Sequence, residues 1–334
     1  MPFERESHRI VIAGASSLLG AELKSLLEQS RFAASEFSLL DEELAAGTLT
    51  EAVGEPAVIR PVEEDSFDRA RLVFFTASPE FTRANLALAQ RSGAVMVDLS
   101  GYSASLSETN PWLQKLESLR RQPLPEKFRL VTIPSASAEA LIRLTLALQD
   151  LELQSMCAIV LQPVSAWGRP GIEELETQTS QLLAIQTPGK QLFDAQVAFN
   201  TLDRFGASSR FDLRRSLTTI RAEVHSCWRG EVVFPAIQLI HVPVFYGVTF
   251  SACAELASSA DAARIQSACK DAGFSMTRTP DSPNNISVAE ETSIQLAEPE
   301  PDPARPGTWW FWGAADNIRL PAWNAVKFAE TLAE

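Results

Sequence analysis

Two turns in this chain carry residues suited to holding or attacking an anion. The first reads Gly14-Ala15-Ser16-Ser17-Leu18-Leu19-Gly20, after the apolar run Arg9-Ile10-Val11-Ile12-Ala13 and before a helical pattern with Leu23, Leu26 and Leu27 on one side. Gly14 permits a tight turn and Gly20 a close helix–strand approach, while the N–H groups of Ser16, Ser17, Leu18 and Leu19 are placed to face a pyrophosphate. Ser17 stands where the more usual G-x-x-G-x-x-G has its middle glycine. Any βαβ unit needs small residues here, so the pattern alone leaves a purely structural turn open. The second turn lies in Leu130-Val131-Thr132-Ile133-Pro134-Ser135-Ala136-Ser137-Ala138-Glu139. Its β-branched run stops at Pro134, and residues 138–148 have the composition and apolar spacing of a helix. Ser135 or Ser137 is placed to cap that helix, and Glu139 suits the positive end of its dipole. In α/β proteins such a strand-to-helix turn often seats a nucleophile or an anion. This turn holds no thiol and no base.

The elements that position these turns are those of an α/β protein. Residues 36–40 predict a second strand, ending in Asp41-Glu42-Glu43 at the distance where dinucleotide domains place a ribose-reading acid. A carboxylate there bonds the ribose hydroxyls of NAD and repels the extra phosphate of NADP; a solvated acidic turn is the alternative. Residues 71–78 read as a third strand whose carboxyl end, at Ala77, borders the expected cofactor crevice. A helix over 80–92 and a strand over 94–100 follow. Beyond Asp150 the texture changes: a strand at 155–162, a turn at 168–171, a helix at 172–185, then strands at 231–234, 237–245 and 246–255. Longer strands with fewer helices between them predict a mixed or antiparallel sheet, hence an α+β second domain. Residues 298–307 read as a Pro-rich acidic surface loop, Trp309-Trp310-Phe311-Trp312 as an apolar strand in core or subunit interface, and 322–332 as a final helix.

Composition narrows the function. The formal charge of -13 opposes nucleic-acid binding, and no apolar run approaches the length of a membrane span. The N-terminal residues lack the apolar core of a signal peptide, so a cytoplasmic protein is expected. The four cysteines show no CxxC spacing and the three histidines no ligand spacing, so no metal is expected.

Taken together, these stretches resemble the aspartate-semialdehyde dehydrogenase family over nearly the whole chain and in the family's order. The resemblance rests on Gly14-Ala15-Ser16 to Gly20; Val97-Asp98 with Ser100; Gln162 with Val164-Ser165; Gly171-Ile172-Glu173-Glu174-Leu175; Gln196-Val197-Ala198-Phe199-Asn200; Val242-Pro243-Val244-Phe245-Tyr246-Gly247; and Ala315-Asp316-Asn317-Ile318-Arg319 with Asn324-Ala325-Val326. It implies a Rossmann-type doubly wound dinucleotide-binding domain at 1–134, completed by 313–334, and an inserted α+β dimerisation domain at 135–312. It also implies a homodimer, reductase chemistry on an acyl phosphate, and Asn317 beside the cofactor.

The family's chemistry needs a cysteine thiolate as nucleophile and leaving group. Ala136 stands at its position, Val248 at that of the acid/base histidine, and Ala104 at that of the arginine that grips the substrate. Arg214 keeps only a cation from a Glu-Glu-x-Lys element, Leu320-Pro321 replaces Lys-Gly, and Gln162, which orients the acyl intermediate, is retained. Ser135 and Ser137 are the candidate stand-ins, yet a hydroxyl with no histidine beside it stays protonated. Losing nucleophile, base and anion clamp together points to a degenerate, cysteine-less paralogue. The arginine and serine that read the phosphate of NADP are absent from Leu44-Ala45-Ala46-Gly47, which leaves two outcomes: NAD, weakly favoured, replaces NADP, or no dinucleotide binds, since Ser17 narrows the pyrophosphate turn. Two other readings stay open: an NAD(P)-dependent oxidoreductase of altered mechanism, and a heteromeric partner of an active family member.

Overall fold

The computed structural model describes residues 9–43, 45, 47–52, 54–120, 127–228, 233–257 and 260–332. Two compact units form: one from Met1–Gln114, Leu124–Pro134 and Pro321–Glu334, the other from Lys115–Pro123 and Ser135–Leu320.

In chain order, the first unit begins with β1 (Arg9–Ala13), α1 (Leu18–Glu28), β2 (Glu36–Asp41), the hairpin β3 (Leu49–Ala52) and β4 (Glu55–Val58), β5 (Arg60–Pro61) and β6 (Leu72–Phe75). It continues with α2 (Pro79–Arg91), β7 (Val95–Asp98) and β8 (Asn110–Pro111); α3 (Leu116–Arg120) belongs to the second unit, and β9 (Leu130–Thr132) returns to the first. The sheet order is β5-β2-β1-β6-β7-β9-β8, and every pairing in it is parallel. Side chains alternate across each strand, so β1 feeds two cores. Ile10 and Ile12 pack with Leu23 and Leu27 of α1 and with Val326 and Phe328 near the C-terminus, while Val11 and Ala13 join Phe67, Phe75 and Phe81 on the other face. Burial on both faces is what makes these strands continuously apolar.

The second unit adds α4 (Ala136–Gln149), β10 (Ser155–Gln162), α5 (Gly168–Leu183), α6 (Leu213–Ser226), β11 (Ala236–His241), β12 (Val248–Glu255), α7 (Ala262–Asp271), β13 (Phe274–Met276), β14 (Ile294–Leu296), β15 (Glu300–Pro301) and β16 (Thr308–Ala315). Helix α8 (Arg319–Thr331) closes the chain. The second sheet runs β11-β10-β12-β16-β14-β13 and is mixed, one of the two arrangements that the change of texture left open. Helix α4 is buried from Ala136 to Leu148 and packs against β10, β12 and β16. None of the described helices is long and apolar enough to cross a membrane.

Several boundaries differ from the sequence reading. Helix α4 starts at Ala136 rather than 138, since Ser135 takes the cap. Helix α5 starts at Gly168, so 168–171 is its first turn, where Pro170 is tolerated because that N–H has no helical partner. The strand expected over 237–245 ends at His241, before the Val242-Pro243 step that removes a ladder donor. The loop 298–307 contributes β15, paired with β16. Strand β16 stays hydrogen-bonded to β12 through Ala315, so the chain returns to the first unit at Pro321 rather than at 313. Of the strand expected at 231–234, Val233 and Phe234 are irregular, and 231–232 lie outside the described residues, as do residues 1–8, Leu44 and Ala46.

Candidate functional site

In the first unit the glycine turn joins β1 to α1. Gly14 has a φ of 103°, and a Cβ built on it would meet the Ala77 nitrogen at 2.4 Å; one on Gly20 would meet the Gly14 carbonyl oxygen at 2.3 Å. Both glycines are therefore required by close backbone approach. Ser17, in the place of a glycine, caps α1: its hydroxyl accepts from the Gly20 N–H at 2.9 Å and donates to the Thr76 carbonyl at 2.9 Å. Thr76 in turn donates to the Gly14 carbonyl at 3.0 Å, which draws β6 against the turn.

Asp41, at the end of β2, is 6% exposed. Its Oδ2 accepts the Ser16 N–H at 2.7 Å and its Oδ1 the Glu42 N–H at 2.8 Å. One of the amides expected to face a pyrophosphate therefore already holds a carboxylate. Among the described residues the N–H groups of Leu18 and Leu19 donate to no protein group, and both residues are half-buried at the helix start. The turn fits a dinucleotide: two open amides at the positive end of α1 suit the pyrophosphate, and the free lone pairs of Asp41 suit ribose hydroxyls.

In the second unit, Ser135 caps α4. Its hydroxyl accepts from the Ala138 N–H at 3.4 Å and donates to Glu223 Oε2 of α6 at 2.5 Å. Ala136 is the first helical residue and 1% exposed. Ser137 donates to Gln162 Oε1 at 3.5 Å, at the end of β10. Glu139 pairs with Arg143 at 2.7 Å, and Arg143 Nη1 also donates to the Ala272 carbonyl at 2.6 Å, so this acid and base hold α4 in place. Glu223 is the residue that sequence reasoning missed. Its signal was an acid on the buried stripe of α6, between Ile220 and Val224.

The other positions carry no reactive group. Val248 is 1% exposed and opposes Ala315 in the sheet. Ala104 lies buried in the 3-10 turn Tyr102–Ser105, which Asp98 organises by accepting the N–H and hydroxyl groups of both Ser100 and Ser103. Arg214 is exposed in the first turn of α6. The Asn317 amide accepts from the Gly247 N–H at 2.9 Å and donates to the Ser165 hydroxyl at 3.0 Å. Three separated signatures thus meet on one side chain, a bridging role beside the cofactor role that the resemblance implied. Among the described residues, no group of three His, Cys, Asp or Glu is placed to hold a metal ion.

The two units also match known families. Residues 9–105 match the NAD binding domain of semialdehyde dehydrogenase, and residues 145–320 match its dimerisation domain. The chain belongs to the semialdehyde dehydrogenase family. It is 29% identical to a USG-1 protein homolog of Azotobacter vinelandii over 97% of each chain. It is 23% identical to aspartate-semialdehyde dehydrogenase 2 of Vibrio cholerae over 98% of each. The solved structure of a probable aspartate-semialdehyde dehydrogenase from Pseudomonas aeruginosa superposes with a TM-score of 0.86 at 27% identity, over 98% of this chain and 99% of that one. The expected α/β fold and the resemblance to the aspartate-semialdehyde dehydrogenases are borne out, and the first unit of this family member carries its NAD-binding domain.

Proposed function

We propose that this family member is a dinucleotide-binding homodimer that lacks the thiol-dependent reductive dephosphorylation of aspartyl phosphate. The observation that supports the reading is Ala136, the buried first residue of α4, at the position that the resemblance gives the family's thiol. Val248 and Ala104 supply no base and no cation, and the only described partner of the Ser135 proton is the Glu223 carboxylate. Ser135 serves there as a helix cap, so the hydroxyl is held by structure rather than presented to a substrate.

When bound, the nicotinamide cofactor supplies hydride transfer. The chain's own part is to seat it. Leu18 and Leu19 N–H groups receive the pyrophosphate, Gly14 and Gly20 keep the turn close to Ala77 and Thr76, and Asp41 takes the ribose hydroxyls. The Asp41 carboxylate disfavours a phosphate on that ribose, so NAD is preferred over NADP. Its contact with Ser16 N–H competes with phosphate and keeps affinity modest.

Support for a homodimer comes from the second sheet, whose face opposite α4 is open. Ile159 on β10 is 40% exposed and Trp310 on β16 is 44% exposed on that face, flanked by Ile240 and Trp312. An apolar sheet face of this kind calls for a partner.

The test is an assay of NAD and NADP reduction by aspartate semialdehyde with phosphate or arsenate, beside calorimetric titration of both cofactors. Expected are no turnover from the native chain or from Ala136→Cys, and measurable NAD binding. Phosphate-dependent turnover abolished by Gln162→Ala overturns the degenerate reading. Absence of NAD binding at millimolar concentration overturns the cofactor reading.

A further inference from the structure

Parallel strands need cover on both faces, and in the first sheet that cover changes kind beside β2. Among the described residues, the chain makes no helix between β2 and β6; it makes the β3–β4 hairpin, the two-residue β5 and a loop over 62–70. That loop joins the core on the Leu40 side of the sheet through Phe67 and Ala70. A groove of about 560 Å³ remains along β2, within the range of roughly 300–1,000 Å³ typical of small-ligand sites. The alternate residues Glu36, Ser38 and Leu40 form its floor, and loop residues between Glu63 and Arg69 form its wall.

Both ends of the groove carry both signs of charge. Register sets Arg9 of β1 beside Glu36 at the start of β2, and Arg60 of β5 beside Leu40 near its end. Four residues of strand separate the two positions, about 13 Å. Glu63 follows Arg60 by three residues and also lines the groove. Arg9 holds the wall in place: Nη2 donates to the Ser66 carbonyl at 3.0 Å and Nη1 to the Asp68 carbonyl. Its Nε is buried and, among the described residues, has no acceptor, a donor that calls for one. Neither the Arg60 nor the Arg69 guanidinium has a described hydrogen-bond or ion-pair partner, and the Glu36 and Glu63 carboxylates accept no described bond. Arg69 has a φ of 56°, left-handed backbone that is unfavourable for a bulky residue and is the kind of outlier that gathers at ligand sites.

We infer that this groove binds a free oligopeptide of about four residues, extended along β2 with both termini charged. Charge selects that class. A wholly anionic ligand meets Glu36, Glu63 and Asp65, and a wholly cationic one meets Arg9, Arg60 and Arg69, whereas an amphoteric chain pairs with both sets. An extended peptide of this length matches the span, its carboxylate meets a guanidinium, its ammonium meets a carboxylate, and a backbone carbonyl gives Arg9 Nε its acceptor. Every lining residue belongs to the first unit and none lies on the second sheet, so the inference is independent of the dimer reading; the cofactor turn contributes no residue to the groove.

The test titrates the full chain by calorimetry and saturation-transfer NMR with tetra-alanine, with tetra-alanine acetylated at its N-terminus or amidated at its C-terminus, and with glycine. Free tetra-alanine should bind, and either block should weaken it by about tenfold or more. Arg60→Ala and Glu36→Gln should weaken it similarly in the native range of thermal midpoints, because both side chains are exposed and unpartnered. Glycine, which reaches one end only, should not bind at the same concentrations. The inference is overturned if tetra-alanine shows neither heat nor saturation transfer at millimolar concentration, or if the blocked peptides or glycine bind as tightly as the free one. Native affinity in both folded variants overturns it too, since the peptide then sits elsewhere.

Discussion

Asp41 commits both carboxylate oxygens to backbone N–H groups, one of them in the phosphate turn. Replacing it with alanine has opposite effects on the two cofactors. On the proposal that Asp41 takes the ribose hydroxyls, NAD loses an acceptor and NADP loses a repulsive charge. A swing of about 1–2 kcal/mol corresponds to a rise of roughly five- to thirtyfold in NADP affinity relative to NAD. Calorimetry of Asp41→Ala with both cofactors checks this, and an unchanged ratio would mean that Asp41 does not read the ribose. Ser135 carries a different prediction. Ser135→Ala removes the cap of α4 and a hydrogen bond to a buried carboxylate, a cost of about 1–3 kcal/mol. A lower denaturant midpoint at unchanged slope is expected; a fully retained midpoint would free the hydroxyl from its structural role.

At the scale of elements, β11 places His241 among aromatic rings. The imidazole is fully buried beside Trp167, Phe193 and Phe205, with centroids 5.8, 6.3 and 5.7 Å away. Nε2 lies 3.4 Å from the Val197 carbonyl oxygen, and among the described residues Nδ1 has no hydrogen-bond partner. Burial pushes the imidazole down from 6.5 to about 4. The folded chain therefore holds it neutral while the unfolded chain binds a proton between pH 6.5 and about 4. Stability should fall as pH drops through that window, by about 3 kcal/mol in all, and be independent of this group below it. His241→Phe should flatten that part of the pH–stability curve in urea denaturation. An identical slope in the variant would assign the dependence to other groups.

For the whole molecule, the homodimer proposed above would pack through the open face of the second sheet. Ile159→Asp places a charge where a second copy would bury an alkyl group, and leaves the covered face of β10 untouched. Sedimentation should show monomer in place of dimer, with an unchanged circular dichroism spectrum. A dimer of native stability would move the interface elsewhere.

Much of this protein was legible in the chain itself. Continuous apolar strands, glycines at turns and helical stripes are local patterns dictated by burial and backbone geometry, so the parallel first sheet and the mixed second sheet followed from them. The identities Ala136, Val248 and Ala104 also needed no coordinates, and it is the resemblance that sets them where the family carries its thiol, imidazole and guanidinium. What only the tertiary structure decided were pairings across long separations. Glu223 meets Ser135 from 88 residues away, Asn317 binds Ser165 from 152 away, and Cys157 faces Cys253 across a strand pair. Boundaries at Pro321 and His241 likewise depend on which ladder a strand joins. Register and helix docking set these contacts, and neither is encoded in the local spacing that a sequence displays.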